Sequence, residues 1–145
     1  MTVRTQLFAG THAEALARAD ALDGGRAPAA APHVDLDSVT PLELEALGEI
    51  AARAVRFGSG DLEVAEVDLD HELLFQVPPF LSEVLAELSA PEDPDVPAEV
   101  AAAWAASEEM DAAGTNLLPV VRSVVQLVAD ARAAGRDVYL WVEAD

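Results

Sequence analysis

His71 and the acids around it are the residues most able to do chemistry. A zinc peptidase helix opens with His-Glu and places a second histidine four residues after the first, so that both reach one metal from one face. Here that position is Phe75, the run reads as extended, and Pro78 and Pro79 close it. The missing ligand argues against zinc catalysis. Asp68, Asp70 and Glu72 have the alternate spacing with which a calcium loop begins. The glycine that such a loop needs next is Leu73, and the closing glutamate falls on Pro79. A solvated acidic strand face is therefore the expected state. Asp35 and Asp37 form a similar pair beside His33.

His12, His33 and His71 are the only imidazoles and are scattered along the chain. His71 falls in phase with apolar residues, so a partly buried ring satisfied by one hydrogen bond is expected. Adjacent Glu108 and Glu109 are acids with no partner placed opposite them. No nucleophile elbow, phosphate-binding loop or dinucleotide fingerprint occurs, and Gly58-Ser59-Gly60 is a flexible turn. Cysteine is absent, which removes thiolate sites and cysteine nucleophiles. The sequence thus predicts no catalytic residue, no metal site and no cofactor.

Tryptophan fills cores and also anchors interfaces. Trp104 shares the apolar side of its helix and is expected inside. In Asp137 to Glu143, Val138, Leu140 and Val142 alternate with Tyr139 and Trp141. One of those two faces must be less buried unless helices cover both. Tyr139 and Trp141 are therefore the candidates for an exposed aromatic contact patch.

These residues need elements to hold them. Thr2 to Phe8 reads as a first strand, and Thr11 with Glu14 forms a capping box that starts a helix ended by Gly24 and Gly25. Pro28 and Pro32 mark residues 26–33 as a loop. Thr40-Pro41 with Glu43 starts a second helix, which ends near Arg56 before Gly58 and Gly60. Residues 61–77 switch to a period of two. Val67, Leu69, His71, Leu73, Phe75 and Val77 fall on one side, with Glu66, Asp68, Asp70 and Glu72 on the other. Leu62 and Val64 are out of phase, which calls for a bulge or turn near Ala65 or a tight hairpin around Asp68 to Asp70. Three helices follow: one from Pro78, one after Asp95, and the broadest after Thr115 or Asn116, closing at Gly135. The last strand is rich in β-formers. The expected architecture is α+β in one domain over 1–145: a small, mostly antiparallel sheet of three or four strands, covered by about five helices on one main face, with the first and last strands paired.

The chain has 145 residues, 52% hydrophobic, with 27 acids against eight basic residues, all arginine, for a net charge of −19. Alanine-rich, arginine-only, acidic sequences are typical of GC-rich bacterial genomes, and excess charge also favours solubility. Such a chain repels phosphate backbones and attracts basic proteins. Its N-terminus lacks an apolar leader core, and Leu117 to Ala129 is shorter than the ~20 residues that span a bilayer, so no membrane segment and a cytoplasmic location are expected. The leading function is a non-catalytic binding module, of immunity or regulatory type, for a basic partner protein. Glu66, Asp68, Asp70, Glu72, Tyr139 and Trp141 are its contact candidates. The alternatives are a metal- or carboxylate-dependent hydrolase using His71, and a DNA mimic. Oligomeric state is not encoded legibly.

The segment Val34 to Ile50, VDLDSVTPLELEALGEI, the strand-to-helix run Val77 to Leu88, the alanine-rich helix Val96 to Met110 and the long helix closing on Gly135 before a last strand resemble the YfbM-like bacterial family of unknown function. The resemblance implies an α+β fold and carries no activity or site residue.

Overall fold

The computed structural model describes residues 4–37, 39–55, 62–67, 71, 73–91 and 93–143. In chain order the elements are β1 (Arg4–Gly10), α1 (His12–Asp23), β2 (His33–Asp37), α2 (Pro41–Val55), β3 (Ala65–Glu66), β4 (Leu74–Gln76), α3 (Pro79–Glu87), α4 (Val96–Ala106), α5 (Leu118–Ala133) and β5 (Asp137–Val142). The strands form one antiparallel sheet in the order β2-β1-β5-β4-β3. The fold is α+β, with five strands where three or four were expected.

The extra strand is β2. Its Val34 and Leu36 face inward between His33, Asp35 and Asp37, and it pairs with β1 from Arg4↔Asp37 to Phe8↔His33. The first and last strands do pair, from Thr5↔Val142 to Gly10↔Asp137. Within residues 61–77, β3 and β4 pair antiparallel, with Ala65 opposite Gln76 and Glu66 opposite Phe75. The reversal corrects the single-strand phase: Val67 joins Leu74 on one face of the sheet, while Phe75 and Val77 take the other. Asp68 and Asp70, where a tight turn was one of the two expectations, lie outside the described residues, as do Arg56, Gly58 and Gly60.

Helix starts follow local chemistry. Thr11 accepts from the Glu14 amide and the Glu14 carboxylate accepts from the Thr11 amide, so the capping box is complete. At α2, Pro41 takes the first position and the Thr40 hydroxyl donates to the Glu43 carboxylate. At α5, the Asn116 side chain accepts from the Leu118 amide, and Gly135 adopts φ +68 to stop the helix.

The sheet is buried on both faces, which corrects the expectation of helices on one main face. Helices α2 to α5 cover one side. There Leu7, Ala9, Val138, Leu140 and Val142 meet a core that includes Leu44, Leu47, Leu81, Val84, Trp104, Val121, Val124 and Val128. Helix α5 packs on α3, α4, β1, β2 and β5, as its broad apolar stripe predicted. Helix α1 alone covers the other side, where Ala15, Ala19 and Leu22 pack on Phe8, Leu74, Tyr139 and Trp141. No described helix is long and apolar enough to cross a membrane.

Candidate functional site

The α1 face gathers most of the candidate side chains. Small residues at Ala15 and Ala19 bring the helix close over the sheet. Tyr139 is 1% exposed and Trp141 2% exposed. The expectation of an exposed aromatic patch is therefore corrected: α1 supplies the second layer that buries them. Tyr139 stacks on Phe8 with ring centroids 5.9 Å apart. Burial raises the Tyr139 phenol above its ordinary pKa, and Asp137 adds to the shift. The Trp141 indole donates to Asp23 Oδ1 at 2.9 Å, so its polar handle ends at the rim of this layer. Trp104, on the opposite face, is fully buried and donates to the Glu43 carbonyl at 2.9 Å, as expected of a core residue.

At the C-terminal end of α1 the hairpin arrives. His71 Nε2 donates to Asp20 Oδ1 at 2.8 Å, and the ring is largely buried while the carboxylate is open to solvent. A carboxylate only accepts, so the imidazole proton sits on Nε2. The His71 carbonyl accepts from the Leu74 amide, and Leu74 lies opposite Trp141 in the sheet. Asp20, His71, Leu74, Trp141 and Asp23 thus form one connected corner. Glu66 is exposed on β3, the outermost strand, and lies opposite Phe75, so its side chain is on the sheet face turned away from α1. The last turn of α1 holds no basic residue, but Arg26, just past its end, donates Nη2 to the Asp20 carbonyl at 3.1 Å and meets the negative dipole end. Of the contact candidates, Glu66 is exposed on β3 but on the sheet face away from this corner. Tyr139 and Trp141 lie beneath α1, and Asp68, Asp70 and Glu72 lie outside the described residues. The carboxylates that sequence reasoning missed are Asp20 and Asp23. They sit on a polar helix face some fifty residues away in the chain, and only the tertiary contact brings them to the hairpin.

The other two histidines stay apart from this corner. His12 is exposed in the first turn of α1, and His33 lies on β2 with Nδ1 donating to the Ala31 carbonyl at 2.9 Å. Among the described residues, no group of three or more histidines and acids is placed to hold a metal ion.

In the middle of α1, Arg18 is buried. Its Nε donates to Gln6 Oε1 at 2.6 Å and its Nη1 to the Ala29 carbonyl at 2.9 Å. The Gln6 amide in turn donates to Asp35 Oδ1 at 2.8 Å. Burial lowers the Arg18 pKa, with Asp35 acting in the opposite direction.

No family model matches the chain, and no curated protein or solved structure matches it.

Proposed function

We propose that this protein is a non-catalytic binding module for a basic partner protein, with the corner between α1 and the β3–β4 hairpin as its contact surface. The observation that supports this reading is the His71–Asp20 hydrogen bond. It brings the end of α1, with Asp20 and Asp23, to the hairpin that carries Glu66. Asp20 and Asp23 are thereby held at one corner with the hairpin, with Arg26 on the Asp20 carbonyl and Arg4 over the Trp141 ring beside them. The net charge of −19 accelerates the approach of a basic partner, and local carboxylates select where it lands. The outermost position of β3 also suits a partner that adds a strand to the sheet.

The test is a salt series on the complex. The protein is immobilised, its most enriched partner from a host lysate is purified, and the affinity is measured from low to high ionic strength. A basic partner is expected, bound at least tenfold more weakly once the Debye length falls from about 30 Å to about 8 Å. An acidic partner, or an affinity that stays level across the series, would refute the reading.

A further inference from the structure

The eight arginines of this chain face 27 acids, yet two of them lie together with no carboxylate pair among the described residues. Arg53, Arg132 and Arg136 pair with Glu49, Glu83 and Glu14. Arg4 and Arg18 instead lie over aromatic rings, at 5.6 Å from the centre of Trp141 and 5.3 Å from that of Phe8. Both line one open concavity of about 290 Å³, together with Gln6, Pro28, His33 and Asp35. From this arrangement we infer that the concavity between β1, β2 and the 28–31 loop is a binding site for a small oxyanion, a carboxylate or a phosphate monoester.

The argument begins with Arg18, which is only 7% exposed. A buried cation is costly unless an anion offsets it. The two protein groups that accept from Arg18 are both neutral, the Gln6 amide and the Ala29 carbonyl. They fix the guanidinium plane, and among the described residues Nη2 donates to no protein acceptor. No buried side-chain nitrogen or oxygen of the described residues lacks a partner, so Nη2 reaches solvent on the concave side. Arg4 adds a second, exposed guanidinium with its planar fork open. One carboxylate, Asp35, lies in the concavity, but it already accepts from Gln6. Two arginines thus face one carboxylate in the lining, with Asp37 opposite Arg4 on β2. The size of the concavity is near the lower limit for small-ligand pockets, roughly 300 Å³. His33 lines the same concavity, with Nδ1 donating to the Ala31 carbonyl and Nε2 3.8 Å from Asp35.

The experiment uses the full chain and two probes, inorganic phosphate and acetate. Each replaces chloride at constant ionic strength and pH, so that general screening of the −19 charge is held fixed. Thermal melting and calorimetric titration are the readouts. At least one probe is expected to raise the melting midpoint over chloride. A rise with phosphate alone assigns a phosphate ligand, with acetate alone a carboxylate, and with both their shared chemistry. Arg4→Gln, at an exposed position, is expected to melt like the parent in chloride and to bind the active probe at least fivefold more weakly. Asp35→Asn is expected to tighten binding. No rise with either probe, or an equal rise in Arg4→Gln, would overturn the inference.

Discussion

Tyr139 shows how a single side chain reports on the second layer. Its ring is sealed between Phe8 and α1, so the neutral phenol is favoured and its folded pKa is raised. The unfolded chain gives up the proton first, near pH 10. The contribution of Tyr139 to stability is therefore intact below about pH 10 and is lost as pH climbs through the folded value. Because the chain has one tyrosine, phenolate absorbance reads this group alone. Titration above the ordinary range, followed by loss of structure, is expected; an ordinary tyrosine curve in the folded protein would contradict the burial. Arg18 is the polar counterpart at the same interface. It joins α1 to β1 through Gln6 and to the 28–31 loop through Ala29.

At the scale of elements, close approach decides what each helix tolerates. Gly48 lies in α2 where α3 crosses, and a Cβ there would collide with the buried Leu81 side chain and press on Leu62. Replacing a helical glycine by alanine ordinarily stabilises by about 1 kcal/mol. Overpacking a full core costs about 1–3 kcal/mol. Leu81 is fully buried and has no free volume to retreat into, so Gly48→Ala is expected to destabilise by about 1 kcal/mol in urea unfolding. A gain in stability would show that the α2–α3 contact is looser than described.

The same scale explains what could be read in advance. Capping chemistry located α1 and α2 from Thr11, Glu14, Thr40 and Pro41, because those bonds are local. The β1–β5 pairing and the central place of α5 were legible for similar reasons: apolar runs that long must lie inside. Strand β2 was hidden behind Pro28 and Pro32. Its alternation of Val34 and Leu36 with His33, Asp35 and Asp37 was the available signal. Tyr139 and Trp141 were misplaced because nothing in the local pattern of β5 says that a second layer exists. Helix α1 is mostly alanine on its inner side, too weak a stripe to announce that it covers a sheet. The corner acids Asp20 and Asp23 were illegible for a different reason, since a contact across fifty residues leaves no periodicity.

For the whole molecule, the distribution of charge matters more than its sum. The carboxylates give a field of one sign, interrupted by the Arg4–Arg18 concavity, which meets the α1–hairpin corner at Trp141, where Arg4 lies over the ring. A diffuse negative field would attract a basic partner anywhere. A contact surface at the corner makes position decisive, and charge reversal at two sites separates these cases. Asp20→Arg at the end of α1 and Glu99→Arg on α4, both exposed, change the net charge equally. The decisive measurement is the affinity of each variant for the purified basic partner at one low ionic strength. The account predicts a loss of tenfold or more for Asp20→Arg and a loss of threefold or less for Glu99→Arg. Equal losses would contradict it.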